Sequence, residues 1–423
     1  MTENRTAIAI IGSGPSGCYT AQFLRRKWPD AEITIFESLP APYGLLRYGV
    51  ATDHQGTKAV AAQFDRLFER EGVRFAGNVT VGTDLSYDEL TSQFDVVVRA
   101  TGLKHDRPLA IESEADCPVI GAGAILKAVN GHPLVDLPTS QGKLRSLGRR
   151  LAVIGNGNVA MDVVRILCKP STDFAGSDVD DLRLEQLRAD GIMTIDIFGR
   201  SPISQAKFDL SMLKEVLVLP GVRIGFTGVG ECDCKAAAML QEFGRPLADA
   251  QDDKAAEVVA VNFHFGACPE DIQSSSIDHV LKVKQSGLEA SIEFSIDTVI
   301  TATGFTNHAA EEPELEGCRA NVFKVGWLNR DGKGTIAANR KDAKEVAERI
   351  VALVESGELS SGAPGFTALE KKIGSKMISF EEWKNVDAHE RSSAPSTRCR
   401  KKVTDVAQMI DIARRSVAAA AVA

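Results

Sequence analysis

Two stretches of this 423-residue chain, "AIAIIGSGPSG" at 7–17 and "RLAVIGNGNVA" at 150–160, restrict its fold more than any other feature. Each joins a short continuous apolar run to a glycine-spaced turn and then to a helix-like segment. In the first, Gly12, Gly14 and Gly17 have GxGxxG spacing. The first glycine permits a tight turn, the second lets a pyrophosphate approach the backbone, and the third lets helix and strand pack closely. The following "CYTAQFLRRKW" can form the helix whose N-terminal amides face the phosphates. After Pro29 the chain returns as the strand-like "AEITIFE", ending in Glu37. That carboxylate can accept the hydroxyls of an adenosine ribose.

The second stretch repeats this context, with Gly155, Gly157 and Ala160 at the equivalent spacing and "VAMDVVRIL" continuing as a helix. Its next strand, "TIDIFGR", ends in Arg200 rather than an acid. A ribose 2'-phosphate would be repelled by a carboxylate there and attracted by a guanidinium, so Glu37 suits an unphosphorylated ribose and Arg200 suits NADP. An arginine in a solvated turn is the plainer reading, just as a duplicated structural fold is the plainer reading of two glycine loops. Two different dinucleotides would let electrons pass from one to the other.

Two further repeats fit that division. "DVVVRATG" at 95–102 and "DTVITATG" at 297–304 each carry a buried strand into Ala-Thr-Gly, where small residues permit a close crossing. The expected architecture is α/β, with two doubly wound dinucleotide-binding domains, the second inserted in the first. The first domain would comprise 1–105 and 304–423, the latter including a C-terminal tail, and the second 106–303. "STDFAGSDVDDLRLEQLRADG" reads as an acidic link into a helix, and "DDKAAEVVAVNFHFGACPEDI" with "HVLKVKQSG" as strands and turns around the second site.

A formal charge of −8 argues against nucleic acid as the main partner. The start, "MTENRTAIAII", lacks the basic, apolar and cleavage regions of a secretory signal, and no apolar span is long enough to cross a bilayer, so the chain reads as cytoplasmic. Eight cysteines are scattered through it. Cys232 and Cys234 in "GECDCK" lack the spacing of thioredoxin-like pairs, and no closely spaced run suits an iron–sulfur cluster. The cysteines read as isolated buried residues, and no metal site is expected.

At this point the chain resembles the ferredoxin–NADP reductases of the adrenodoxin-reductase type. The resemblance covers nearly its whole length, through "IIGSGPSGCYTAQFL", "PYGLLRYGVATDH", "VIGNGNVAMDVVRIL", "GRSPISQAKF", "VGWLNRDGKGTIAANRKDA" and "ISFEEWKNVDAHE". It implies FAD on Gly12, Gly14, Gly17 and Glu37, with Leu45 and Val81 lining it, Trp327 beside it, and Gly334, Thr335 and Ile336 near the isoalloxazine. It implies NADPH on Arg107, Asn156, Gly157, Asn158, Val159 and Arg200, with Glu215 nearby. His54 and Glu215 match positions expected near the redox site, as groups that tune proton transfer or nicotinamide placement; His54 can also be read as capping or ordering a loop, and Trp327 as a tryptophan used only in the core. Electrons would leave singly to a ferredoxin-type iron–sulfur protein.

Several residues depart from the family pattern. Relatives present two neighbouring arginines to the 2'-phosphate, whereas Arg200 is followed by Ser201, so NADPH preference should weaken and NADH become usable. Near the expected docking cleft, "GECDCKAAAMLQEFGR" is less basic than in relatives. Arg25, Arg26, Lys27 and Lys214 could serve a partner, although a helix C-terminus favours that basic triplet on its own. Two other functions share these loops: an electron-input subunit of a larger oxidoreductase, and a nucleotide-responsive interaction protein without turnover.

Overall fold

The computed structural model describes residues 5–113, 117–249, 258–274, 279–307 and 319–415. The chain divides into two compact units, residues 1–104 with 305–423, and 105–304.

The first unit is built on a five-stranded parallel sheet. Strand Ala7–Ile11 lies between Glu32–Phe36 and Val96–Arg99, and the sheet is completed by Arg74–Ala76 and Val322–Lys324 at its two edges. Every residue of Ala7–Ile11 is buried because both faces of the sheet are covered. On one face Ile8, Ile10, Val96 and Val98 pack with Cys18, Ala21 and Leu24 of helix Pro15–Lys27, and with Ala343, Ala347 and Ile350 of helix Ile336–Glu355. On the other, Ala7, Ala9, Ile11 and Val97 meet Leu90, Phe94, Phe366 and Leu369. The period-2 alternation of a strand thus divides one apolar run between two cores.

The C-terminal segment closes this unit through helix Phe380–Ser392, which starts with a Ser379–Glu382 capping box, and helix Val406–Ala413. It carries one fully buried acid. Glu390 accepts hydrogen bonds from Arg47 Nη2 at 2.5 and 2.7 Å, Arg400 Nη1 at 2.8 Å and the Val403 amide at 3.0 Å. Arg47 is itself held between the rings of Tyr48 and Trp383, 4.9 and 4.8 Å from their centroids. Burial alone would push the Glu390 carboxyl up, but the two guanidiniums outweigh it and hold it below its ordinary value.

The second unit contains a seven-stranded parallel sheet in the order Gly244–Pro246, Val222–Thr227, Val259–Phe265, Thr194–Gly199, Arg150–Ile154, Thr298–Thr301 and Val119–Gly121. Strands Ala267–Ser274, His279–Gln285 and Ile292–Ile296 form an antiparallel layer with a short parallel edge at Glu112–Ser113. The acidic link resolves into a 3-10 turn at Ser171–Phe174 and helix Asp181–Leu187, which Asp180 caps by accepting from the Arg183 amide.

The expectation of buried cysteines needs correction. Cys18 and Cys117 are buried, but Cys168, Cys232 and Cys234 are half-buried, and Cys268 and Cys399 are exposed; Cys318 lies outside the described residues. Cys268 illustrates the reason, since it stands on an antiparallel strand with one solvated side, where alternation decides exposure. Burial pushes the Cys117 thiol up to about 11 and Cys168 up to about 12, which leaves both protonated and inert at neutral pH.

Candidate dinucleotide sites

The two glycine loops are closed by the same device. Gly12 has φ +106°, and a Cβ added there would lie 2.5 Å from the Ala100 carbonyl oxygen. Gly155 has φ +115°, and its added Cβ would overlap the Ala302 carbonyl. The Ala of each Ala-Thr-Gly therefore presses its carbonyl into the space that glycine leaves, one loop in each unit. The middle glycines differ in kind. Nothing lies within 4 Å of a Cβ built on Gly14, and one built on Gly157 meets only Lys207 Cβ, at 3.9 Å. Each middle glycine precedes the first turn of a helix, Pro15–Lys27 or Asn158–Cys168. Open space beside the first amides of a helix, which have no partner within the helix, is the cradle a pyrophosphate needs, so both loops fit a dinucleotide.

Around the first loop, Glu37 Oε2 accepts from the Ser13 amide at 3.1 Å and from Ser13 Oγ at 2.6 Å, while Oε1 accepts from Ser38 Oγ at 3.1 Å and the Leu39 amide at 3.2 Å. The carboxylate thus braces the loop, and two of its four donors are hydroxyls free to rotate toward other acceptors. The Tyr43 amide donates to Ser13 Oγ at 3.1 Å. Tyr43 itself has φ +82°, a costly backbone state for a non-glycine residue. It turns the chain so that a Cβ on Gly44 would come within 3.3 Å of Gly14 Cα. Leu45 follows, half-buried, at the start of helix Leu45–Tyr48, and half-buried Val81 forms a bridge with Leu85.

Farther along the same unit, Trp327 stacks on Phe305 with centroids 5.1 Å apart, and its Nε1 donates to the Gly334 carbonyl at 3.0 Å. It is half-buried rather than a core wall. Gly334 and Thr335 are exposed, and Thr335 occupies the N-cap position before Ile336. His54 is half-buried at the N-cap position of helix Gln55–Lys58, yet its side chain makes no capping hydrogen bond.

In the second unit Asn156, Gly157, Asn158 and Val159 are all half-buried in one turn. Asn156 Nδ2 is buried with no hydrogen-bond partner among the described residues. Asn158 exchanges two bonds with Asp209: its Nδ2 donates to Oδ2, and its Oδ1 accepts from the Asp209 amide, each at 2.7 Å. Arg200 is exposed one residue past strand Thr194–Gly199. Arg107 is exposed, with its amide donating to the Gly304 carbonyl at 2.8 Å. Glu215, on helix Leu210–Leu217, is engaged with Arg165 Nε at 3.0 Å, and Arg165 also bonds Asp162 at 2.9 Å.

A family model described as pyridine nucleotide-disulphide oxidoreductase matches residues 6–179. Cindoxin reductase of Citrobacter braakii is 40% identical, spanning 97% of this chain and 92% of that protein. The chain belongs to the adrenodoxin-reductase-type family of FAD-dependent NAD(P)H reductases. Human mitochondrial NADPH:adrenodoxin oxidoreductase, at 28% identity over 96% of this chain and 92% of its own, is a more distant member. The structure of Mycobacterium tuberculosis FprA in complex with NADPH superposes with a TM-score of 0.82 at 27% identity, covering 97% of this chain and all of that one. This reductase is accordingly an oxidoreductase. Four site residues emerge with the structure: Ser13 lies inside the GxGxxG spacing, Tyr43 within "PYGLLRYGVATDH" and Lys207 within "GRSPISQAKF", whereas Asp209 carries no sequence signal.

The basic triplet is used within its own unit. Arg25 Nη1 donates to the Pro29 and Ala31 carbonyls at 2.5 and 2.8 Å, and Lys27 pairs with Glu355 at 3.0 Å. Lys214 is exposed. Among the described residues no helix is long and apolar enough to cross a membrane.

Proposed function

We propose that this reductase holds FAD on the first glycine loop, takes electrons from NADPH held on the second, and passes them one at a time to a ferredoxin-type iron–sulfur protein. The observation that carries the reading is the paired geometry: two strand–glycine–helix turns, each closed by an alanine carbonyl, one followed by Glu37 and the other by Arg200. FAD, when bound, supplies the exchange between two-electron nicotinamide chemistry and one-electron transfer.

The protein's own residues bind and orient. Gly12, Gly14 and Gly17 shape the first cradle, Glu37 addresses the adenosine ribose, and Leu45 and Val81 line the nucleotide. Trp327, Gly334, Thr335 and Ile336 form the isoalloxazine end, where the amides before helix Ile336–Glu355 are available as donors. In the second unit Asn156, with its unsatisfied buried donor, stands with Gly157, Asn158 and Val159 around the pyrophosphate, Arg107 stands beside them, and Arg200 meets the 2'-phosphate. His54 influences proton placement near the flavin. Glu215 acts with Arg165 as a positioning residue for the nicotinamide. With Ser201 in place of a second arginine, NADH is also a donor.

The test starts from the purified flavoprotein. Denaturation should release one FAD per chain, NADPH should bleach its visible band within the turnover time, and an isolated ferredoxin should then be reduced. Release of FMN would overturn the cofactor assignment. Bleaching without transfer to any isolated ferredoxin would favour the electron-input subunit instead.

A further inference from the structure

The segment after Arg200 folds back over the second glycine loop. Ile203 and Phe208 are 3% and 8% exposed and anchor it by their burial, while Lys207 between them is exposed. The reciprocal Asn158–Asp209 bonds fasten the end of this segment to the first residue of helix Asn158–Cys168. As a result Lys207 Cβ is the nearest atom to a Cβ built on Gly157, at 3.9 Å. Gly157 is the position whose missing side chain lets a pyrophosphate reach the backbone. No carboxylate lies within ion-pair distance of the Lys207 ammonium among the described residues, and no hydrogen bond holds it there.

We infer that Lys207 is a pyrophosphate-binding cation for the nicotinamide dinucleotide, acting on the two phosphates common to NADH and NADPH. This rests on the reading that the second loop holds that dinucleotide. A lysine suits the place because a compact charge on a flexible four-carbon stem can follow a phosphate that approaches the amides from above. The helix-start amides add their own donors to the same anion. The neighbouring Asp209 carboxylate is kept occupied by the Asn158 amide group. The charge missing at Ser201 would have read the 2'-phosphate; the charge at Lys207 strengthens both nucleotides alike. The preference between them is therefore set at Arg200 and Ser201, and Lys207 leaves it unchanged.

Titration calorimetry on the oxidised flavoprotein with NAD+, NADP+ and 2'-AMP tests this. NAD+ carries the pyrophosphate alone, and 2'-AMP carries a 2'-phosphate alone. Lys207→Met should weaken NAD+ and NADP+ by a common factor of about ten at low ionic strength, leave 2'-AMP binding and the unfolding midpoint unchanged, and lose its effect as salt is raised. Lys207→Arg should restore most of the affinity. Equal NAD+ binding by wild type and Lys207→Met would overturn the inference. So would a loss confined to NADP+ and 2'-AMP, which would move the lysine to the 2'-phosphate. Wild-type protein that binds none of the three probes would instead overturn the reading of the second loop itself, together with the lysine's role.

Discussion

Gly155 and Gly157 stand two residues apart in one motif, yet alanine should act on them through opposite properties. At Gly155 an added methyl meets the Ala302 carbonyl, and φ +115° is a state that L residues rarely adopt. Backbone strain of roughly 1–2 kcal/mol and overpacking of roughly 1–3 kcal/mol together make Gly155→Ala destabilising by roughly 2–5 kcal/mol. For a unit of this size each kcal/mol lowers the midpoint by about 2–4 °C, so a fall of roughly 4–20 °C is expected. At Gly157, φ −92° suits any residue, and the new methyl has only Lys207 Cβ for a neighbour, 3.9 Å away. Gly157→Ala should leave the midpoint unchanged but occupy the volume through which the pyrophosphate reaches the amides. Losing one hydrogen bond to a charged group, about 1.5–3 kcal/mol, would weaken NADP+ roughly 10- to 150-fold. Differential scanning calorimetry and NADP+ titration on both variants, with flavin content as a control on the other unit, make the comparison. A Gly157→Ala protein that is folded and binds NADP+ as tightly as wild type would refute the reasoning, as would a Gly155→Ala protein with an unshifted midpoint.

Arg200→Ala should weaken NADPH roughly 10- to 150-fold while sparing NADH, and Ser201→Arg should raise the NADPH preference; flavin-reduction kinetics with both nucleotides checks this, and equal losses would make Arg200 structural. Glu390 and Asp387 both resist burial's upward push through pairing with arginines, so both carboxyls sit below their ordinary values. Their stabilisation is complete above the ordinary carboxyl pKa of about 4 and is lost as pH falls through the lower folded values. Unfolding midpoints measured from pH 7 down to pH 3 should therefore drop on the acid side. Glu390→Gln, which leaves Arg47 buried without its full counter-charge, should cost about 3–5 kcal/mol at neutral pH and flatten that drop. An acid-side slope identical in the variant would place its origin elsewhere.

Local elements were legible because their causes are local. "AIAII" and "RLAVI" read as buried strands, and strands Ala7–Ile11 and Arg150–Ile154 have those bounds, because an apolar run of four or five residues ended by glycine admits few other states. Helices Pro15–Lys27 and Asn158–Cys168 follow for the same reason. What a side chain does once the elements have met lay outside that reach. Glu37 could be recognised as the acid at a strand end, but only the fold shows its carboxylate gathered onto Ser13, Ser38 and Leu39. Glu215 reads as a candidate for the redox site, and the ion pair with Arg165 emerges from the packing of two helices separated along the chain by several elements.

The Ala-Thr-Gly repeats mark the boundary between what the chain states and what folding decides. Their small residues were visible as a pattern, but the physical reason for them is the carbonyl that fills the space over Gly12 or Gly155, from a strand more than eighty residues away in each case. Arg47 and Glu390 meet across 343 positions of sequence, and Lys207 reaches Gly157 only because Ile203, Phe208 and Asp209 fix its segment in place. Hydrophobic period and glycine spacing act over a few residues and so specify strands, turns and helices directly. Carbonyl contacts, buried ion pairs and the reach of an exposed cation depend on which distant elements become neighbours, and that is decided when apolar faces find each other in the tertiary fold.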